Sequence, residues 1–178
     1  HVEGNRFPVG ELNGSESERV KKLSEMLIRS GFKSPVLPDV RSELWLKCWG
    51  SCCFNPLSAL THSTLEQICT FPLTRKLAEE VMTEAQTIGE KLGATFRVPL
   101  ERRINGAAAV GNHKTSMLQD AEEGRAMEID ALVGSVVELG RLTSVQTPHL
   151  NTIYWCVKLL ANTLSSSSLQ VKAQPIPS

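Results

Sequence analysis

The sequence lacks the features that mark several large classes of protein. No apolar run approaches the ~20 residues that a membrane-spanning helix needs. Lysine plus arginine number 19 and aspartate plus glutamate number 19, so the formal net charge is zero. A chain without excess positive charge has no broad electrostatic surface for nucleic acid or anionic lipid. We therefore expect neither nucleic acid nor membrane among its partners.

Phosphate-binding loops and a leader peptide are also absent from the sequence. The chain contains neither a Gly-x-Gly-x-x-Gly fingerprint nor a Walker loop. Its first residues, His1 to Gly4, have no basic region followed by an apolar stretch, so we do not expect a secretory signal there. Because an initiator methionine is missing as well, we expect a piece of a longer protein. The sequence leaves open whether cloning, proteolysis or a split gene produced that piece.

The cysteines do not predict a disulfide framework. There are five of them, an odd number, and three cluster beside tryptophan and phenylalanine as Cys48, Cys52 and Cys53. A reducing, cytoplasmic compartment is therefore expected. His62 lies nearby in sequence, but the spacing matches no zinc pattern, and we expect no metal site.

The composition is that of a globular protein, and the chain divides near residue 38. Its 178 residues, 41% of them hydrophobic, suffice for one domain or for one domain plus a fragment. Residues 6–12 and 33–37 predict short strands on either side of a helix over 16–30, with Ser15 as its cap. A single strand–helix–strand unit cannot cover its own sheet. We therefore predict a domain remnant over residues 1–38.

The remainder predicts a mainly α fold. Asp39 is expected to cap a helix running toward residue 60, and Pro56 to bend or break it. Periodic apolar residues predict further helices over 73–92, 127–142 and 148–164. Residues 98–109 stay unassigned. The serine run and prolines near the end predict a flexible tail over 166–178, which leaves a helical domain over 39–165.

Three polar residues share one face of the Asp39 helix. Lys47, Ser51 and Asn55 stand at i, i+4 and i+8, among tryptophan, cysteine and phenylalanine. Burial in this company would favour proton loss and make Lys47 a better proton donor near neutrality. The alternative is a lysine whose stem packs while its ammonium reaches water. Spacing alone leaves both interpretations open.

Two further candidates lie near the middle of the chain. Ser116 with Gln119 matches a capping box, and a helix start there suits a substrate carboxylate, although it can also be only a cap. Glu128 begins an apolar-periodic stretch, where an acid also complements the helix dipole. On one continuous helix Ser116 and Glu128 would be ~18 Å apart. They can meet at one small ligand only if the chain turns near Gly124.

These residues together resemble one known family. The segments that carry the resemblance are Trp45–Lys47, Asn55–Thr61, His113–Asp120, Gly124–Arg125, Glu128–Asp130 and Thr147–Pro148. In this order they resemble the 2-dehydropantoate 2-reductases, or ketopantoate reductases, over roughly residues 6–162. The resemblance implies a helical C-terminal domain of the 6-phosphogluconate dehydrogenase C-terminal-like type. It also implies that a short β-α-β remnant of a Rossmann domain precedes that domain.

The resemblance implies an activity and a role for each candidate. The family reduces 2-dehydropantoate to pantoate with NADPH, a step toward pantothenate and coenzyme A. Lys47 is then the general acid, and Glu128 binds and orients substrate hydroxyls. Asn55 supports Lys47 and substrate polar groups, Ser116 binds the substrate carboxylate or a hydroxyl, and Ser51 stands where the family often has asparagine.

Departures from the family pattern leave alternatives open. Ser51 has a shorter reach than asparagine, and Met127 stands where a threonine commonly precedes the glutamate. The glycine-rich loop is missing, so NADPH would be bound mainly by an absent N-terminal domain, and this chain alone is expected to be inactive. The alternatives are a reductase of another 2-oxo acid and a non-catalytic helical dimerisation or binding module. A homodimer through the helical domain is also expected.

Overall fold

The structure, a computed structural model, describes residues 4–166. The Cα positions divide the chain into two compact units, with the boundary between Leu46 and Lys47. Most of the predicted tail, residues 167–178, lies outside the described residues.

The first unit contains two isolated parallel β-bridges and no continuous ladder within the described residues. Arg6 pairs with Lys33 and Val9 with Val36 as isolated parallel bridges, instead of the two predicted strands. The Lys33 N–H donates to the Asn5 carbonyl at 2.7 Å, and the Leu37 N–H donates to the Val9 carbonyl at 2.7 Å. Between them a parallel ladder needs an N–H at residue 35, which is a proline and has none. Pro35 therefore interrupts the pairing.

The helix of this unit, α1 (Glu18–Arg29), starts two residues later than predicted. Ser17 is its cap, with its Oγ accepting from the Val20 N–H at 3.3 Å. Ser15, the expected cap, instead donates its N–H to Asn13 Oδ1 at 3.0 Å within the preceding turn. The Asn13 side chain, two residues before Ser15, accepts the hydrogen bonds of this serine, which the helix pattern alone does not reveal.

The helix α2 (Val40–Thr61) begins as predicted at Asp39, whose Oδ1 accepts the Ser42 N–H at 3.0 Å. The expected break at Pro56 is wrong, because α2 continues through this proline to Thr61. The side chains around it, Phe54, Leu57 and Ala59, are all buried. Their burial outweighs the ~3 kcal/mol that a proline costs inside a helix.

In the described part of the second unit, every secondary-structure element is a helix. After α2 come α3 (Leu65–Thr70), α4 (Pro72–Lys91), α5 (Leu100–Ala108), α6 (Ser116–Glu122), a π-helical turn (Asp130–Gly134), α7 (Ser135–Leu142) and α8 (Pro148–Ser166). Two predictions need correction. The helix expected over 127–142 begins later and as a π turn, and α8 extends two residues beyond 164.

The core of this unit forms where α2 meets α4. Trp49 is fully buried, its Nε1 donates to the Met82 carbonyl at 2.6 Å, and its ring meets Phe96 edge-on at 4.8 Å. Gly140 lets α7 lie close to Thr147, the residue before α8, since a Cβ at residue 140 would lie 2.8 Å from Thr147 Cγ2. Among the described residues no helix is both long and apolar enough to cross a bilayer.

Candidate functional site

Three of the five predicted site residues line one cavity of about 380 Å³. Ser51 and Asn55 reach it from consecutive turns of α2, and Ser116 reaches it from the start of α6. The remaining lining residues are Gly50, Phe54, Leu65, Arg103, Ala107, Val110, His113 and Thr115. The cavity therefore combines an apolar floor with hydroxyl, amide and guanidinium groups, an arrangement typical of small-molecule sites.

Lys47 lies one helical turn before Ser51 but is not among the lining residues. Its side chain is exposed, so the neighbouring tryptophans and cysteines do not bury it as one interpretation required. Within residues 4–166 its ammonium has no hydrogen-bond or ion-pair partner. The structure thus places Lys47 on the same helix as the cavity, with its charge available to a ligand.

Ser116 is not the cap that the sequence predicted. Thr115 caps α6, with its Oγ1 accepting the Leu118 N–H at 3.3 Å, and Ser116 is the first helical residue. Gln119 donates from Nε2 to the Lys114 carbonyl at 2.9 Å rather than completing a capping box. Two adjacent hydroxyl residues qualify equally as caps, and the sequence does not choose between them. The correction leaves the Ser116 hydroxyl exposed at the cavity and uninvolved in the cap.

The loop that carries Ser116 is held by charged contacts. Lys114 Nζ lies 2.9 Å from both carboxylate oxygens of Glu122, and these side chains are only 14% and 6% exposed. Arg125 donates from Nε to Asp120 Oδ1 at 2.8 Å. These two contacts therefore hold the chain segments before and after α6. None of the four residues lines the cavity.

The predicted turn at Gly124 is confirmed. Helix α6 ends at Glu122, and Gly124 has a φ of +67°, which brings the chain out of the helix. Met117 and Ile129, the residues after Ser116 and Glu128, pack in one core cluster with Ala59 and Val157. Buried neighbours of both candidates thus anchor the Ser116 and Glu128 backbones to the end of α2 and to α8.

Glu128 itself is exposed and is not among the residues lining the cavity. Within the described chain its carboxylate has no hydrogen-bond or ion-pair partner. Its neighbours Met127, Ile129 and Asp130 line a second cavity of about 550 Å³ beside α8. The structure therefore brings Ser51, Asn55 and Ser116 together, and leaves Lys47 and Glu128 exposed outside the cavity wall.

The adjacent acid, Asp130, is already engaged. The Tyr154 hydroxyl donates to Asp130 at 2.7 Å, and Lys158 Nζ lies 2.9 Å from its other oxygen. The Tyr154 hydrogen bond, with that of Lys158, lowers the pKa of Asp130, and the same hydrogen bond raises the pKa of Tyr154. Of the two acids, Glu128 is thus the one free to receive a ligand hydroxyl.

The cysteines near the site are all free. A side-chain hydrogen bond with Cys52 lowers the pKa of Cys48, while that of Cys52 is raised by the same bond and by burial. In the part of the chain that the structure describes, no group of three or more His, Cys, Asp or Glu residues is arranged to hold a metal ion.

Two cavity residues with ionisable side chains, Arg103 and His113, were not among the sequence candidates. Arg103 comes from α5, in a segment without an assigned element, and His113 belongs to the motif before Ser116. In the sequence, Gly50 is a weak sign of the contact with Arg103, because a glycine inside a helix often marks a place where another group approaches closely. Nothing in the sequence tells which group that is.

Comparison with known proteins identifies the family. Residues 39–161 match the family model for the ketopantoate reductase PanE/ApbA C terminal. A 2-dehydropantoate 2-reductase from Mesorhizobium japonicum is 54% identical over 161 residues, which are 90% of this chain and 49% of that protein. The chain thus spans about half the length of the curated relatives it matches.

Solved structures agree with the sequence match. The crystal structure of 2-dehydropantoate 2-reductase from Methylococcus capsulatus has a TM-score of 0.84 at 30% identity, over 94% of this chain and 58% of that chain. The ternary structure of D-mandelate dehydrogenase with NADH and anilino(oxo)acetate has a TM-score of 0.82 at 18% identity, over 92% of this chain and 69% of the other, which shows the shared fold alone. The chain therefore belongs to the ketopantoate reductase family and contains its helical C-terminal domain.

Proposed function

We propose that this chain is part of an NADPH-dependent 2-dehydropantoate 2-reductase, which reduces ketopantoate to pantoate on the way to pantothenate and coenzyme A. The chain supplies the substrate-binding and proton-donating residues. The observation that carries the proposal is the shared cavity of Ser51, Asn55 and Ser116, in a chain of this family. Its volume of about 380 Å³ suits a small branched acid rather than a dinucleotide.

The cofactor belongs to the part of the protein outside this chain. The sequence has no glycine-rich phosphate loop, and the cavity offers the donor set of a small-acid site. A reduced nicotinamide supplies the hydride when NADPH is bound. In this proposal residues 1–38 are the end of the Rossmann domain that binds it, and residues 39–165 form the substrate domain. The isolated chain is then inactive.

In this proposal Lys47 and Glu128 act on the substrate from outside the cavity wall. As hydride reaches the carbonyl carbon, negative charge builds on the oxygen, and the Lys47 ammonium stabilises that charge and donates the proton. The unpartnered Glu128 carboxylate accepts hydrogen bonds from substrate hydroxyls and orients the substrate. Ser51, Asn55 and Ser116 bind its polar groups from the cavity wall.

A homodimer through the helical unit and a cytoplasmic location complete the proposal. Trp155 and Leu159 stand one turn apart on α8 and are each 65% exposed, which supports an interface on that helix. Sedimentation of Trp155→Ala against the parent tests it. We expect the parent to sediment as a dimer and Trp155→Ala as a monomer. If both sediment as monomers, or both as dimers, this face of α8 is not the interface.

The clustered, odd-numbered cysteines support a reducing compartment.

A second candidate is a reductase of another 2-oxo acid. Ser51 lines the cavity at a position where the family often has the longer asparagine, so the pocket differs at a wall that contacts substrate. A larger or less polar alkyl group then fits where an amide would stand. The third interpretation, a non-catalytic module, predicts that the full-length protein has no turnover and that Lys47 has no catalytic role.

The test uses the full-length gene product with NADPH and, separately, NADH. We expect turnover of 2-dehydropantoate with preference for NADPH, and a fall of ~10² or more in kcat for Lys47→Ala, since positioned proton donors contribute 10²–10⁴-fold. Lys76→Ala is the control, because Lys76 is an exposed lysine of α4 outside the cavity. Turnover of a different 2-oxo acid alone supports the second candidate. Unchanged kcat in Lys47→Ala refutes the assigned role.

A further inference from the structure

Arg103 reaches the candidate site from a helix that the sequence did not connect with it. Its guanidinium lies directly against Gly50 of α2, one residue before Ser51. A Cβ on residue 50 would overlap Arg103 Nη2 and lie 3.1 Å from Cζ. Glycine costs about 1 kcal/mol inside a helix relative to alanine, and here it leaves the space that the guanidinium occupies.

The charge of Arg103 is not neutralised within the described residues. It is partly buried, yet its guanidinium makes no ion pair and no hydrogen bond with any residue of 4–166. Arg75, the other partly buried arginine of that range, pairs with Glu79 at 3.3 Å. An arginine stays charged at any pH at which proteins fold, and a partly desolvated charge is costly without a partner.

The cavity around Arg103 has no acid of its own. Its lining residues include no aspartate and no glutamate. Besides Arg103, the polar side chains of the lining are those of Ser51, Asn55, His113, Thr115 and Ser116. A planar guanidinium fork matches a carboxylate with two parallel hydrogen bonds. The cavity is therefore built for an anion that the described chain does not provide.

We propose that Arg103 binds the carboxylate of the substrate and makes this site selective for 2-oxo acids over uncharged carbonyl compounds. The inference rests on the proposed function for the identity of the reaction, but the anion preference belongs to the cavity itself. The carboxylate on Arg103 then lies against α2 near Gly50, about one helical turn after Lys47. Ser116 is then left to bind a hydroxyl or to share the carboxylate.

The kinetic test uses the full-length enzyme with 2-dehydropantoate and its primary amide, in which the same skeleton carries no charge. We expect Arg103→Gln to lower kcat/KM for the acid ~10- to 100-fold, as expected for lost hydrogen bonds to a charged group, and to leave the amide nearly unchanged. Arg103→Lys recovers part of the loss, since it restores charge without the fork. The matched control is Arg102→Gln, which removes an exposed positive charge from the adjacent position of α5.

Gly50→Ala is a second, independent variant. It keeps the arginine but places a methyl group where Nη2 lies, and the flexible guanidinium gives way at little cost to folding. We expect it to weaken the preference for acid over amide in the same direction as Arg103→Gln. A thermal melt of each variant shows whether the fold is kept.

Binding without turnover separates this inference from the proposed function. Calorimetric titration of the full-length protein with pantoate and with its amide measures the anion preference directly. Should the parent fail to reduce 2-dehydropantoate yet bind the acid more tightly, and lose this preference in Arg103→Gln, the site is supported and the proposed reaction is not. Equal binding of acid and amide by the parent, or a preference retained in Arg103→Gln, overturns the inference. It is also overturned if Arg103→Gln raises the KM for NADPH alone, because the arginine then serves cofactor phosphates.

Discussion

The two units of the chain are stabilised in different ways. Within residues 4–46 Val20 is the one buried apolar side chain, and α1 leaves Met26 64% exposed. Residues 47–166 enclose a continuous apolar core that includes the fully buried Trp49 and Met82. The first unit instead relies on hydrogen bonds and charge pairs, such as Arg19 with Glu11 and Arg6 with Glu43. We infer that the helical unit folds on its own core, whereas the first unit depends on polar contacts that solvent conditions can remove.

The largest expected effect comes from the centre of the helical core. Trp49→Ala removes a buried indole and leaves the Met82 carbonyl without its partner, so we expect a loss of about 3–5 kcal/mol in the free energy of unfolding. Urea denaturation followed by circular dichroism measures it. Leu73→Ala is the control, because this side chain of α4 is 72% exposed, and less than about 1 kcal/mol is expected. Similar losses in both variants would mean that the core does not centre on Trp49.

The next effect tests the ion pair between Lys114 and Glu122 at the helix that carries Ser116. Glu122→Gln removes the carboxylate that pairs with the mostly buried Lys114 ammonium, and we expect a loss of about 3 kcal/mol. Glu123→Gln is the control, since its pair with Arg125 is exposed and exposed pairs contribute less than about 1 kcal/mol. The double variant Lys114→Met with Glu122→Leu should recover much of the loss. A double variant as unstable as Glu122→Gln would mean that the charges themselves, not their imbalance, hold the loop.

A smaller effect is expected where one helix caps another. Glu84 of α4 accepts the N–H groups of His149 at 3.0 Å and Leu150 at 2.9 Å, so its carboxylate caps α8 from outside that helix. We expect Glu84→Ala to cost about 1–2 kcal/mol, the range for a lost N-cap. Glu80→Ala, one turn earlier and exposed on α4, should cost little. If both variants unfold at the same urea concentration as the parent, the cap makes no net contribution.

Periodicity predicted most of the long helices, because an amphipathic pattern is local and repeats. Local rules failed at Pro56 because its turn of α2 is buried, so tertiary contacts compete with the rule. They failed at Ser116 because two adjacent residues qualify equally as caps, and Thr115 takes the cap. The helix spacing of α2 predicted that Lys47, Ser51 and Asn55 share one face, and of these three Ser51 and Asn55 line the cavity. Arg103 was unpredictable by these means, since its contact with Gly50 joins two helices far apart in sequence and leaves no periodic signal.

The smallest effect concerns the first unit and its dependence on pH. Hydrogen bonds from Arg19, and then from Ser17, lower the pKa of Glu11 from 4.5 to about 2. Because the pKa is lower in the folded state, the contribution of Glu11 to stability is fully present above pH 4.5 and is lost as the pH falls toward 2. We expect the amide protection factors of α1 to fall across this window before those of α4, as measured by hydrogen exchange. Glu11→Gln removes the titrating group, so the protection of α1 should already be low at neutral pH and should change less on acidification. Equal acid-induced losses in α1 of the parent and of Glu11→Gln would show that Glu11 does not control this unit. An equally early loss in α4 would show that the two units do not differ in the way inferred from their cores.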